Sequence, residues 1–267
     1  MVALIVQRLQ CEIEVEVNAM MSSTWHYPTT FPALGHDEVH IWQVMLDVPT
    51  SLVRTIGQVL TTDEHKQAKR FRSPQDAVRF IMSRGTLRTI IGCYLEHDPA
   101  MLQFHYGPYG KPALAREADN VLRFNVTHSR DRALFAITRG REVGIDLEYI
   151  HDDMAYEQIA EHQFTRNEVH TLNAIPSSRM RRETFFRIWT RKEAFLKARG
   201  LGLSLNPQTF DVPVTPATLT PLLGTKAGCS EMSRWLLYDL PSTGDSVASL
   251  VVEGSPCSLK CWHWLGK

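Results

Sequence analysis

The sequence has no excess of either charge: Lys plus Arg and Asp plus Glu number 29 each in 267 residues. Bulk attraction to nucleic acid or to an anionic membrane surface is thereby excluded as an organising principle, and any anion site has to be local. No apolar run approaches the roughly 20 residues that span a bilayer. The start of the chain, Val2 to Val6 followed by Arg8 and the alternation Glu12, Glu14, Glu16, is unlike a secretory signal. Cysteine is scarce, five scattered residues and an odd number, which is no disulfide framework. The expected setting is a reducing, cytoplasmic one. Cys257, Cys261 and His263 lie close together, but their spacing matches no usual zinc pattern. Internal repeats and low-complexity tracts are also lacking.

What is present is the pattern of a globular α+β chain, long enough for one large domain or two of ordinary size. Residues 1–38 read as an N-terminal extension, with Cys11 to Asn18 alternating like a strand before a loose Ser-, Thr- and Pro-bearing connection. Ile41 to Leu46 is a first buried strand. Thr61-Thr62-Asp63-Glu64 is a capping box for a helix to about Phe71, and Ser73-Pro74 opens a second that reaches about Leu95. That second helix is expected to bury Phe80, Leu87 and Ile91 and to show Arg79, Arg84 and Arg88. Strands follow at about 122–126, 133–138 and 143–147. Past residue 152 the order repeats: helices near 154–161 and, behind the box Thr165-Arg166-Asn167-Glu168, to about 174, a long helix, then strands near 209–212, 235–238, 247–252 and 259–264. The expectation is two similar-sized lobes, 39–150 and 151–267.

The long helix is the most informative stretch: Phe185-Phe186-Arg187-Ile188-Trp189-Thr190-Arg191-Lys192-Glu193-Ala194-Phe195-Leu196-Lys197-Ala198-Arg199-Gly200-Leu201-Gly202-Leu203. Apolar residues recur at helical spacing, and Gly200 stands where a left-handed C-cap stops a helix. Glu193 and Lys197 lie one turn apart on a flank of that stripe. As a pair alone they read first as an i,i+4 ion pair on a solvated face, stabilising by roughly 0.3–0.5 kcal/mol. Upstream, Val143-Gly144-Ile145-Asp146-Leu147-Glu148 places Asp146 and Glu148 at i and i+2 of a strand, so both carboxylates leave one face. Two adjacent acids suit a hard divalent cation with oxygen ligands. They suit a strand running out to solvent as well.

Taken together, Trp-Thr-x-Lys-Glu-Ala-Phe-x-Lys-x-x-Gly-x-Gly-Leu and Val-Gly-Ile-Asp-Leu-Glu, about 45 residues apart, closely resemble the two signatures of the 4′-phosphopantetheinyl transferases, in the surfactin-synthetase-activating type. The resemblance covers about residues 40–212 and implies a pseudo-two-fold pair of α/β lobes with the active site in the cleft between them. It implies that Asp146, Glu148 and Glu193 hold one magnesium ion. Phe124-Asn125-Val126-Thr127-His128-Ser129 is similar to the family's Phe-Asn-x-Ser-His-Ser segment, with Thr127 for its first serine. By that likeness Asn125, Thr127 and His128 contact coenzyme A, the histidine at the ribose 3′-phosphate; a lone histidine at a strand end is otherwise ordinary scaffold. Gly107-Pro108-Tyr109-Gly110-Lys111-Pro112 resembles the family's Gly-Lys-Pro element, whose lysine approaches the nucleotide phosphates, and is in itself a good turn. Arg79 and Arg84 are candidates for the 3′-phosphate from the arginine-bearing helix. Arg84 and Arg88 share a face there and Arg79 points nearly opposite, so one contact at most is expected. Gln67 departs from the basic residue frequent in the family, for which Lys66 or Lys69 could compensate.

The implied reaction is transfer of 4′-phosphopantetheine from coenzyme A to a serine of an apo carrier protein of fatty-acid, polyketide or nonribosomal-peptide assembly, with release of adenosine 3′,5′-bisphosphate. Asp146, Glu193 and Lys197 are the catalytic candidates: Lys197 balances charge at the attacked phosphorus and Glu193 is the nearest base for the serine proton. Lys192, about 100° round the helix, is expected at the nucleotide phosphates. The chain itself is expected to be monomeric. Three acids round a metal would also suit a phosphodiesterase or nuclease using water, a reading that needs no coenzyme A contacts. A non-catalytic homologue binding carrier or coenzyme is the other alternative, and the presence of all three acids and Lys197 counts against it.

Overall fold

The computed structural model describes residues 25–116, 121–216, 220–221, 223–224, 232–241 and 245–266; the strand expected over Cys11–Asn18 falls outside them. The first half runs β1 (Glu38–Met45), α1 (Thr50–Gly57), α2 (Thr62–Ala68), α3 (Pro74–Leu95), the hairpin β2 (Phe104–Tyr106) and β3 (Pro112–Leu114), β4 (Leu122–Ser129) and β5 (Arg132–Arg139). The second runs β6 (Val143–Tyr149), α4 (Tyr156–Gln163), α5 (Arg166–Asn173), α6 (Ser178–Arg199), the short strands β7 (Phe210–Asp211), β8 (Thr220–Pro221) and β9 (Leu223–Gly224), then β10 (Trp235–Asp239), β11 (Ser246–Glu253) and β12 (Ser258–His263). Helix starts follow the capping chemistry. Thr61 and Glu64, and again Thr165 and Glu168, each exchange both bonds of a capping box. Ser73 caps α3 with Pro74 in its first turn. Gly200, at φ +62, ends α6. Helix α1 and the β2–β3 hairpin were not anticipated.

Two four-stranded sheets form, in the orders β12-β1-β5-β4 and β6-β11-β10-β8. Within each, a first strand, a 22-residue helix and two further strands repeat, the third strand lying antiparallel between the other two: β1-β5-β4 in one, β6-β11-β10 in the other. The repeat therefore begins at Val143, earlier than the expected boundary near 150. The last strand, β12, does not stay with the C-terminal half; it returns to pair in parallel with β1. Both differences come from hydrogen-bond partners chosen at long range, which local pattern does not record.

Strand alternation gives each sheet two apolar faces. Trp42 and Val44 of β1 and Phe135 and Ile137 of β5 face Met82, Leu87, Ile90 and Ile91 of α3. Val39, Ile41, Leu134 and Ala136 turn the other way and pack against Ile145, Leu147, Leu250 and Val252 of the second sheet. Leu237 and Val251 on that sheet's far side pack against Ile188, Phe195 and other residues of α6. The layers are thus α3, sheet, sheet, α6. Burying the inter-sheet face joins the halves into one body, because apolar area removed from water stabilises by roughly 25 cal/mol per Å2.

Candidate functional site

At one side of the sandwich the edge strands β4 and β6 meet without a backbone ladder. Side chains replace it. Asn125 Oδ1 accepts the N–H of Ile145 at 2.9 Å, Thr127 Oγ1 that of Leu147 at 3.3 Å and Ser129 Oγ that of Tyr149 at 3.1 Å. Alternate side chains of β4 satisfy alternate edge donors of β6, which unpaired in a buried seam would each be costly. Asn125 and Thr127, expected at the coenzyme, thus have partners within the chain. Both are buried and point into the seam, while Val126 and His128, of opposite parity, face the α3 side.

Across the seam, Gly144, Asp146 and Glu148 share the face of β6 that meets α6. A Cβ on Gly144 would stand 2.0 Å from the carbonyl oxygen of Ala194 and 2.2 Å from the nitrogen of Ala198. Only glycine admits the helix this closely. Glu193 and Lys197, the residues just before those two alanines, are thereby brought to the acids. Lys197 Nζ lies 2.5 Å from Asp146 Oδ1 and donates to Thr127 Oγ1 at 3.1 Å, and Thr127 donates to the same carboxylate oxygen at 3.1 Å. Trp189 Nε1 donates to Glu148 Oε1 at 3.2 Å. Burial, then the charge of Asp146, pushes Glu148 up to about 7. The same two causes, in the same order, raise Glu193, partly offset by Lys197. Asp146 Oδ2 is buried without a hydrogen-bond partner.

The three acids therefore feel one another, and an orphaned carboxylate oxygen lies among them. Such a donor set fits a hard cation with oxygen ligands. Among the described residues no group of three or more His, Cys, Asp or Glu side chains is already gathered closely enough to ligate one ion, and the cation nearest to Asp146 is the Lys197 ammonium.

On the α3 side of β4 a cavity of about 400 Å3 is lined by Arg79, Arg84, His128 and Arg130 with Phe71, Phe80, Asp76 and other residues. Arg79 and Arg84 thus reach one cavity, against the expectation that their faces separate them; long side chains bridge the angular difference. Arg79 forms a two-bond pair with Asp47, at 2.8 and 2.6 Å. Arg88 is not on show. It is buried in a two-bond pair with Glu64 and donates to the carbonyls of Pro99 and Leu102. Burial, then Lys197, lowers the pKa of His128. Gln67 lines a separate crevice beside Glu64 and Arg88.

Two lysines expected at the nucleotide phosphates have partners within the chain. Lys111 Nζ donates to Glu142, to the carbonyl of Val143 and to that of Ala198, at 2.8, 3.2 and 2.8 Å, so it ties the hairpin to the C-terminal end of α6, where a cation also meets the helix dipole. Lys192 is 2% exposed, paired with Glu168 at 2.9 Å and bonded to the carbonyls of Pro207 and Phe210. One residue back from Glu193 is a third of a turn, which aims Lys192 into the core behind α6. Trp189 and Gly144 are the contributors that sequence reasoning passed over. Both stand inside the quoted motifs, and the i+4 step from Trp189 to Glu193 was the available signal.

The chain matches two family descriptions. Residues 142–250 match the 4′-phosphopantetheinyl transferase superfamily, and residues 49–139 match the N-terminal region of a 4′-phosphopantetheinyl transferase. The 4′-phosphopantetheinyl transferase HetI of Nostoc sp. is 35% identical over 246 residues, covering 92% of this chain and 100% of that protein. A putative 4′-phosphopantetheinyl transferase of Synechocystis sp. is 35% identical over 164 residues, 61% of this chain and 65% of that one. The 4′-phosphopantetheinyl transferase Sfp of Bacillus subtilis is 28% identical over 174 residues, 64% and 75%.

Proposed function

The chain belongs to the 4′-phosphopantetheinyl transferase family, and we propose that it carries out this family's reaction at Asp146, Glu148, Glu193 and Lys197. It transfers 4′-phosphopantetheine from coenzyme A to a carrier protein. The observation that carries the placement is the convergence of the two motifs: Gly144 lets α6 lie on β6, and Lys197 meets Asp146 at 2.5 Å.

Asp146, Glu148 and Glu193 are the proposed holders of a magnesium ion, whose charge when bound offsets that of the pyrophosphate. The remaining steps belong to the chain's own side chains. Glu193, its pKa raised by burial, accepts the proton of the acceptor serine. The serine oxygen forms a bond to the phosphorus that bears pantetheine, and the bond from that phosphorus to the bridging oxygen breaks. Adenosine 3′,5′-bisphosphate leaves with the electron pair. Lys197 sets its ammonium against the charge on the transferred group. Thr127 holds Lys197 and Asp146 in register through its hydroxyl, and Trp189 orients Glu148. The cavity bearing Arg79, Arg84 and His128 takes the nucleotide end of the coenzyme. In kind, the protein is of the Sfp type, acting as a monomer in the cytoplasm. No helix among the described residues is long and apolar enough to cross a membrane.

The test is direct. The purified protein is incubated with coenzyme A, Mg2+ and a panel of apo carriers, and the intact carriers are weighed. A gain of one phosphopantetheine group, abolished by EDTA and by Asp146→Ala, is expected. Coenzyme A breakdown without carrier labelling would instead make the protein a hydrolase.

A further inference from the structure

We infer that Arg130 recognises the 3′-phosphate monoester of coenzyme A. The inference deepens the transferase reading above and rests on it. Arg130 stands in the turn between β4 and β5 at φ +53, in the left-handed region that side chains enter at a cost and glycine enters freely. A comparable turn in the same half, at φ +64, is made by Gly140. An arginine in such a place needs a reason beyond the turn.

Its surroundings give one. Arg130 lines the cavity that Arg79, Arg84 and His128 share, and its guanidinium carbon lies 3.1 Å from the centre of the Tyr149 ring. A flat cation stacked on an aromatic face is oriented in advance, which lowers the entropy lost on binding an anion. The neighbouring arginines already have partners within the protein, although Arg84 keeps one buried nitrogen, Nη1, without a hydrogen bond. Arg79 is neutralised by Asp47 at 2.6 Å, and Arg84 lies 3.5 Å from Glu64 while donating to the Tyr106 hydroxyl at 2.5 Å. Among the described residues no carboxylate pairs with Arg130. Asp76 also lines the cavity, and Arg79 and Arg84 stand beside it.

Coenzyme A carries three phosphates, two in the pyrophosphate that reacts and one as a monoester on the ribose. Lys197 and the acids are on the α6 face of the seam, the place proposed for the pyrophosphate. Arg130 and His128 are on the α3 face, one strand across, and β4 itself places them there: Thr127 turns to Asp146 and its neighbour His128 to the cavity. A molecule laid across the seam with its pyrophosphate at Lys197 brings the ribose end to Arg130.

The experiment is steady-state transfer to an apo carrier from coenzyme A and from 3′-dephospho-coenzyme A, by the parent protein, Arg130→Gly and Arg130→Lys. Glycine takes φ +53 without strain, so Arg130→Gly keeps the fold, as its melting temperature verifies. Its KM for coenzyme A is expected to rise about tenfold or more, the loss of one charge-assisted contact, with KM for the dephospho form within about twofold of the parent and kcat little changed. Arg130→Lys falls between. An equal rise for both substrates would assign the cation to another part of the molecule, and no rise would remove it from binding; either overturns the inference and leaves the transferase reading standing. Failure of the parent protein to label a carrier from either substrate would sink that reading and the inference with it.

Discussion

The carbonyl oxygen of Ala194 lies 2.0 Å from where the Cβ of any residue but glycine would stand at position 144. Backbone rests on backbone there, strand β6 under helix α6, and the two residues in contact on the helix, Ala194 and Ala198, each follow a site residue. The distance from Asp146 to Lys197 is set by the missing side chain of Gly144.

Gly144→Ala should therefore act on stability and activity together. The new methyl meets backbone atoms on a packed helix, which cannot swing aside. Overpacking of this kind costs about 1–3 kcal/mol, and the upper end is expected. Urea unfolding would measure the loss. Carrier labelling should fall more steeply than the folded fraction, since α6 must move off β6 to fit. Equal labelling per folded molecule would show that the close approach is dispensable for the reaction.

Asp146→Asn keeps the size of the side chain and removes its charge. Transfer should fall by about 100-fold or more, the scale of losing one electrostatic contributor at a reacting centre. Titration calorimetry should at the same time show Mg2+ binding weakened beyond detection. A variant that binds Mg2+ like the parent would exclude Asp146 from the metal site whatever its activity.

Lys192→Met isolates a structural role. The change strands the buried carboxylate of Glu168, and breaking such a pair costs about 3–5 kcal/mol. Adding Glu168→Gln removes the stranded charge while keeping a group that can accept the N–H of Val212, so the double variant should recover part of the loss. KM for coenzyme A, measured on the folded fraction, should not move. A raised KM would return Lys192 to the nucleotide phosphates.

His40 withdraws stability as the medium is acidified below neutrality, while Glu148 and Glu193, whose folded-state pKa values are raised, act in the opposite sense. The imidazole of His40 is buried, within 2.6 Å of the Tyr94 hydroxyl through Nδ1 and 3.4 Å from Glu38 through Nε2. Trp42 donates to the same hydroxyl oxygen, which leaves the Tyr94 proton for Nδ1 and the neutral imidazole for the folded state. Burial lowers its pKa from 6.5 to about 4. The folded-state value is depressed, so the contribution is complete above about 6.5 and is lost as pH falls toward about 4. Between pH 7.5 and 5 the loss from this group is about 2 kcal/mol. Comparing urea unfolding at those two values for the parent and for His40→Gln would check it. The carboxyl contributions are common to both, so the stability of the parent relative to the variant should fall by about 2 kcal/mol from pH 7.5 to 5, and an unchanged difference would exclude His40.

The sequence by itself determined what depends on near neighbours. Capping boxes at Thr61 and Thr165, the glycine stop at 200, the apolar stripe of α6 and the alternation of β4 to β6 are read over a few residues. For that reason the helices and main strands were legible. The acid pair on β6 and the Glu193-Lys197 step were legible too, since each sits on one element with a fixed period. The tertiary structure alone decided which partners those residues met. Lysine, threonine and asparagine bind phosphates and tie buried seams with the same atoms, and the choice depends on groups distant in the chain: Glu168 for Lys192, the Ala198 carbonyl for Lys111, the edge N–H groups of β6 for Asn125 and Thr127. The return of β12 to β1 and the start of the second repeat at Val143 belong with these. Edge donors pair with whatever strand the packed layers bring beside them, and local pattern carries no record of that.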